Sequence, residues 1–292
     1  MYQGYTVRLI PTKSQLNYFW RASNAARFIY NWSLSERKRL YTEENISETG
    51  YGMCKRLTEL KKNPRYDWLN EVHNKVLKKA VLDCDEAFKK FFKGKSRFPK
   101  FHSKKNTIPS FYIETEIAEQ LIIIDGKLEK KVNQKIKFSH NNTVRLSGIG
   151  EVKLSKSAKE YGLWYLTEHA IPVRNCRVKY DGKYWNLTFS IEIPNKKVHL
   201  TDEVIGIDLG VKDTAICSNR KIYRNNNKSN KNIKLLEKRK KRYQRRISRK
   251  YEANKQGNKF IKTRNIAKLE RKTREIDRKL RNIRKSYNHQ VS

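Results

Sequence analysis

The sequence predicts an α+β, multi-domain protein: a helical lobe inserted next to a small β-barrel, then a short strand region and a long basic helical hairpin. Three observations carry that prediction. Apolar residues recur at three- and four-residue steps from residue 12 to 93. Short alternating runs punctuated by turns follow, up to Pro194. Beyond residue 228 the helical period returns, with Lys or Arg filling most positions between the apolar ones.

Tyr5 to Ile10 alternates weakly and carries β-branched residues, the pattern of a short strand stopped by Pro11. Thr12 and Gln15 form a T-x-x-Q capping box that opens a helix. Its apolar positions are Leu16, Phe19, Trp20, Ala26, Ile29, Tyr30 and Leu34. Arg21, Arg27, Arg37, Lys38 and Arg39 take the remaining surface. After a polar break at 45–50, a second helix is expected from Tyr51 to about Lys62, ending at Asn63-Pro64. A third is expected from Asn70 to Lys93, with Val72, Val76, Leu77, Ala80, Val81, Cys84, Phe88 and Phe91 on one face and Gly94 as its stop. Arg21, Arg27 and Lys38 are candidate phosphate contacts. Trp20, Trp32, Tyr41, Tyr66 and Trp68 could stack bases. For any one of these rings the core is the more frequent fate.

Gly94 to Asn106 reads as a basic connector containing Phe98-Pro99-Lys100-Phe101, with Lys100, Lys104 and Lys105 as candidate phosphate contacts. Strands are then expected at Ile122–Ile124 leading into the Asp125-Gly126 turn, and at 135–138, 144–146, 151–154 and 164–166. The clearest hairpin joins Asn175–Tyr180 to Lys183–Ile193 through Asp181-Gly182. Several short strands with regular turns suggest the small barrel. A polar stretch, 195–202, leads to the next element.

That element is Val-Ile-Gly-Ile-Asp-Leu-Gly-Val at 204–211. On a strand, Ile205, Ile207, Leu209 and Val211 share one face, able to pack into a core, while Gly206, Asp208 and Gly210 share the other. A carboxylate between two glycines on an apolar strand needs solvent, hydrogen bonds or a metal. The residues leave two roles open: Asp208 offered to a hard cation such as Mg²⁺, or Asp208 capping a turn. Asp213 is expected to shape the turn after the strand, Thr214–Ser218 to return as a second strand, and 220–230 to form a polar loop.

Between residues 228 and 292 stand 25 Lys or Arg and 5 acids, so this stretch holds +20 of the chain's +38. Ile266, Leu269, Thr273, Ile276, Leu280, Ile283 and Tyr287 make a heptad seam. Leu235, Leu236, Tyr243, Ile247 and Tyr251 make a rougher stripe upstream, and 254–258 would be the turn between two antiparallel helices. A parallel coiled-coil dimer is the other use of the seam, and the oligomeric state is not readable. Lys238, Arg239, Lys241, Arg242, Arg245 and Arg246 on the first helix are candidate nucleic-acid contacts. So are Arg271, Arg274, Arg281 and Arg284 on the second. Glu270, Glu275 and Asp277 look like ion-pair partners for neighbouring cations.

A net charge of +38 on 292 residues and a pI near 10.1 repel themselves unless they meet a polyanion, and nucleic acid is the usual one. A mean hydropathy of −0.90 and the lack of any long apolar run argue against a membrane span. Met1 to Ile10 lacks the apolar core of a signal peptide, so the cytoplasm is the expected location. Cys54, Cys84, Cys176 and Cys217 form no C-x-x-C pair, which argues against a zinc site or a disulfide framework.

Several stretches together resemble the TnpB (OrfB) proteins of bacterial insertion sequences, relatives of the RuvC-type nuclease of type V CRISPR effectors. They are Arg27-Phe28-Ile29-Tyr30-Asn31-Trp32-Ser33-Leu34, then Lys78 to Lys105 with Ala87-Phe88 and Phe98-Pro99-Lys100-Phe101, then Asp181-Gly182-Lys183-Tyr184-Trp185. Gly206 to Asp213 and Arg281-Asn282-Ile283-Arg284-Lys285 complete an ordered set covering nearly the whole chain. The resemblance implies a division in which 1–10 is the first strand of a wedge-like β-barrel. Residues 11–98 would be a helical recognition lobe, described in the family as a helix-turn-helix. Residues 99–200 would complete the barrel, and 201–292 would be a partial RuvC/RNase H-like domain with basic helices. It implies a guide RNA from the transposon end, a DNA target, and Mg²⁺ held by three acids of which Asp208 is the first.

The family also carries a glutamate motif, a zinc ribbon and a last aspartate beyond the basic helices. This sequence reaches Ser292 before them. The expectation is therefore a truncated chain or fragment that binds nucleic acid and does not cut DNA alone, with Ile205, Ile207 and Leu209 poorly covered. An RNA-independent DNA-binding repressor of the same ancestry is the alternative. A ribosome-associated RNA-binding protein ranks last, because it leaves the Gly206–Gly210 strand unexplained.

Overall fold

The computed structural model describes residues 1–104, 107–124, 127–194, 204–210, 212–225 and 230–291. They fall into two compact units, Met1–Asn195 and Lys196–Ser292. The first mixes helices with a multi-strand antiparallel sheet. The second holds a small sheet and a helical hairpin.

In the first unit, β1 (Tyr2–Ile10) is longer than the sequence suggests because it is paired along its whole length. From Tyr2 to Arg8 it runs antiparallel to β9 (Trp185–Glu192), and at Leu9 and Ile10 it pairs with β7 (Gly150–Leu154). With β2 (Ser110–Tyr112), β5 (Lys137–Ser139), β6 (Thr143–Leu146) and β8 (Val173–Tyr180), these make one seven-stranded sheet in the order β2-β8-β9-β1-β7-β6-β5. A separate two-stranded ladder joins β3 (Ile117–Ile124) to β4 (Lys127–Gln134). The Asp125-Gly126 turn lies outside the described residues. The Asp181-Gly182 hairpin forms as expected: the Asp181 carboxylate accepts from the amides of Lys183 (2.9 Å) and Tyr184 (2.8 Å).

Helix α1 (Lys13–Glu44) begins at the predicted capping box, with both reciprocal Thr12–Gln15 hydrogen bonds present, and stops at Asn45 in the left-handed conformation. The Gln15 amide also donates to the Glu151 carbonyl at 2.7 Å, fixing the helix start to β7. Helix α2 (Gly50–Leu60) follows. The predicted start of the third helix at Asn70 is corrected. Pro64–Glu71 is a 3₁₀ turn capped by Asn63, Val72 is extended, and α3 runs only from Asn74 to Phe92. The expected strand at 164–166 is also overturned, since Trp164–Glu168 is a short helix, α4. Leu163 and Leu166, three apart, are both buried. A run that short cannot separate a period of two from one of 3.6.

In the first unit helices and sheet share one large core, with a smaller separate cluster of Tyr30, Leu34, Cys84 and Phe88. Phe19, fully buried, lies 5.3 Å from the Trp185 ring and 5.6 Å from Phe111. Ile29, Leu57, Leu77, Val178 and Leu187 belong to the same cluster. Trp32 and Tyr66 pack against it, Trp20 and Trp68 sit at its rim, and Tyr41 is exposed. Beside the core, Arg37 and Asp85 form an ion pair at 2.8 Å with side chains only 12% and 8% exposed, and Lys89 reaches the other carboxylate oxygen. α2 starts against this pair. A Cβ on Gly50 would fall 2.8 Å from the Asp85 carboxyl carbon, so only glycine lets that helix approach.

In the second unit, β10 is reduced to Ile207–Asp208, paired with β11 (Asp213–Cys217), which pairs in turn with β12 (Ile222–Arg224). The loop expected at 220–230 thus contains a strand. Asp213 is the first residue of β11 rather than part of a free turn. α5 (Lys231–Ala253) and α6 (Arg264–Val291) are joined through a tight ladder, β13 (Lys255–Gln256) with β14 (Lys259–Phe260), that turns at Gly257 with φ +54°. Ile233, Ile276 and Leu280 are buried between the helices, with Leu236, Tyr243 and Ile283 packed beside them. Leu235 is not part of the stripe. It is 64% exposed, and Ile233, two residues before it, is buried in its place.

Candidate nucleic-acid interface

The hairpin has a narrow apolar seam and a wide cationic remainder. Asn230 caps α5 by accepting from the amides of Asn232 (2.9 Å) and Ile233 (3.3 Å). The apolar positions close against α6, so the other positions of α5 face away from the seam. Lys238, Lys241, Arg242, Arg245, Arg246 and Arg249 line one shallow concavity on that side. Their spacing of three and four residues places them on one stripe of the helix. None of the six forms an ion pair among the described residues. Arg249 is the member sequence reasoning missed, although it continues the same spacing from Arg245.

Other cations of the hairpin are engaged. Lys240 pairs with Asp277 at 2.6 Å, Arg284 with Glu237 at 3.2 Å, and Lys262 with Glu270. Burial pushes the Glu270 carboxyl up, but hydrogen bonds from Lys262 and the Tyr251 hydroxyl outweigh it and hold the acid below its ordinary value. Glu270 and Asp277 are thus the ion-pair partners expected, while Glu275 has none among the described residues. Arg239 lines a second groove with Lys238, Arg242 and Lys279 beside Leu235 and Ile283. Arg271, Arg274 and Arg281 are exposed on α6.

In the first unit the candidates divide. Arg21 is held by Glu71, and half-buried Arg27 donates to the Asn24 side chain at 3.3 Å. Lys38 is exposed, with its ammonium 5.9 Å from the centre of the Phe98 ring. Lys100 and Lys104 are exposed on the connector. Lys105 lies outside the described residues. The connector is tied down by a contact no local pattern announces. Asn31 donates to the His102 carbonyl (2.9 Å) and accepts from the His102 amide (2.7 Å), and the His102 ring stacks on Tyr30 at 3.8 Å.

Asp208 is exposed on its two-residue strand, opposite Ile216. Ile205, Ile207 and Leu209 are 52%, 61% and 77% exposed, as expected of a strand with a neighbour on one side only; Val211 lies outside the described residues. The glycines serve the local backbone. Gly206 exchanges hydrogen bonds with Ser218, and a Cβ on Gly210 would fall 2.9 Å from the Asp213 carbonyl oxygen. Among the described residues no three acids, histidines or cysteines come together to hold a metal. The residues present therefore do not fit a two-metal site. No described helix is long and apolar enough to cross a membrane.

Residues 1–45 match a family model described as a helix-turn-helix domain, of the OrfB type. In the structure that span is one strand and one unbroken helix, so the match is to sequence rather than to a helix–turn–helix within those residues. InsQ of Escherichia coli (strain K12), assigned as an RNA-guided DNA endonuclease, is 25% identical over 99% of this chain and 62% of its own length. The chain thus spans less than two thirds of that relative. A second protein so assigned, from Streptomyces pristinaespiralis, is 29% identical over 36% of this chain and 26% of its own. Virulence protein VsdF of Salmonella dublin is 33% identical over 36% of this chain and 95% of its own. Among solved structures, a CRISPR-Cas12f ternary complex aligns with 84% of this chain and 54% of its own at 16% identity and a TM-score of 0.34, too loose to place any element.

Proposed function

The chain belongs to the TnpB (OrfB) family of transposon proteins, and from that premise we propose that it binds a guide RNA and the DNA that RNA selects. These 292 residues supply the binding surfaces. Asp208 would be the first RuvC carboxylate, one of three, and by itself it performs no cleavage step. The sheet would be the wedge-like barrel of the family, and the helices α1 to α3 its recognition lobe. The observation that carries this reading is the α5 stripe: six cations on one helical face, with no acid among the described residues paired to them. Packed that closely, such cations repel one another and are stabilised only by a polyanion. Acidic membranes are the other polyanionic surface, but the stripe lacks the large apolar face an interfacial helix buries in lipid.

The test is purification of the full chain at low salt, followed by nuclease digestion of whatever accompanies it and by gel shifts with and without RNase. Structured RNA in the preparation, and DNA binding lost with RNase, is the expected result. A preparation free of nucleic acid that binds neither RNA nor DNA refutes the reading. Sequence-specific duplex binding that survives RNase would instead establish the RNA-independent repressor.

A further inference from the structure

The last turn of α3 and the connector behind it expose aromatic rings among cations, of which Lys89 and Lys90 are paired with Asp85 and Glu86 one turn back, at 2.8 Å each. Residues 87–107 contain eight Lys or Arg and no Asp or Glu. Phe92, Phe98 and Phe101 are 74%, 42% and 57% exposed. Phe92 and Phe98 are supported from below. Phe98 stands edge-on to Phe88 (5.5 Å) and Phe91 (5.3 Å), and Phe92 lies stacked on Phe88 at 6.2 Å. The Asn31–His102 pair and the Tyr30–His102 stack hold the connector in place. Burial keeps the His102 imidazole below the ordinary histidine value, so this stack is a neutral one at pH 7.

Exposed rings in such number mark a contact surface, and the charge around them narrows the partner. A second copy of the chain would bring the same cations and be repelled. An unpaired nucleic-acid strand offers an apolar plane and an anionic link at every step, which matches rings ringed by cations. A duplex does not: its bases are already stacked on one another and only their edges and the backbone are presented. We propose that Phe92, Phe98 and Phe101 form a stacking platform for the bases of a single strand, whose phosphates meet Arg97, Lys100 and Lys104. This rests on the nucleic-acid-binding reading above and narrows it to an unpaired strand at one place.

The test compares the full chain with F92L/F101L, which keeps apolar bulk at two exposed positions and removes the ring faces. Fluorescence anisotropy is read with a labelled single strand of about 20 nucleotides and with the duplex of the same sequence. The double variant should bind the single strand about tenfold or more weaker, given the usual contribution of each stacked ring. Duplex affinity should stay within about twofold, and the salt slope should be unchanged because no charge is lost. K100A/K104A should weaken both probes and flatten the slope. Unchanged single-strand binding by F92L/F101L, or an equal loss on both probes, overturns the platform. So does a wild-type chain that self-associates in sedimentation velocity where the variant does not. If the double variant melts lower by circular dichroism, F101L alone is read by the same criteria, with a loss of about fivefold expected. Wild type that binds neither probe refutes the functional reading itself, whereas wild type that binds beside an unaltered variant refutes only the platform.

Discussion

Alanine in place of Lys241, Arg245 and Arg249 takes three cations from the α5 stripe at four-residue steps without lowering helix propensity. From Lys238 to Arg249 the stripe extends about 17 Å along the helix, a length over which a duplex presents about ten phosphates, so its six cations do not outnumber the ligand. Each phosphate neutralised steepens the log–log dependence of duplex affinity on salt by about 0.9. Six contacts set a slope of about −5.4, and three leave about −2.7. Between 50 and 200 mM salt the stripe then accounts for a loss of about 2,000-fold in wild type and about 40-fold in the variant. Contacts elsewhere add to both slopes and cancel in the difference. The assay is anisotropy against one duplex at four or more salt concentrations. The control removes the same charge from cations already paired to acids, as K240A/K262A/R284A. Its slope should stay close to wild type. Equal flattening by the two triple variants would show that charge, not placement, governs binding, and would refute the stripe.

Asp85→Asn leaves the buried Arg37 guanidinium without its counter-charge and should cost about 3 kcal/mol, read as a drop of about 1.5 M in the urea midpoint. Burial pushes the Asp85 carboxyl up, but Lys89 and Arg37 outweigh it and hold it below the ordinary value. Its contribution is therefore complete above pH of about 4 and is lost as pH falls through the lowered value, a loss D85N should not show in the same titration. Asn31→Ala removes both hydrogen bonds to the His102 backbone. Trypsin should then cut after Lys100 or Lys104 about tenfold faster, followed by mass spectrometry, with the global melting temperature little changed.

What was legible in the sequence was local. Thr12 and Gln15 lie three residues apart and announce the start of α1, and Asp181-Gly182 announces its hairpin. Ile276 and Leu280 declare the seam because period and charge separate cleanly on that helix. The errors lie where a run was too short or a partner too distant. Three apolar residues at 164–166 fit strand and helix alike, and the partners of β1 lie at 153–154 and 186–192. The site followed the same rule. Cation density was visible from composition, but the sequence does not say that Arg21 and Arg284 are held by Glu71 and Glu237. Nor does it reveal that Asn31 grips the connector 71 residues away.

The position of β1 has a consequence for how the chain is made. It precedes the other strands of its sheet along the chain and sits in the middle of that sheet, with β9 on one side and β7 on the other. Both neighbours arrive more than 140 residues later, on the order of tens of seconds at ordinary elongation rates. During that interval its edges are unpaired while α1 to α3 already have local contacts to make. The long loop that finally closes favours slow, non-local assembly. The helical segments therefore collapse first, and β1 waits for residue 192 before the sheet becomes continuous.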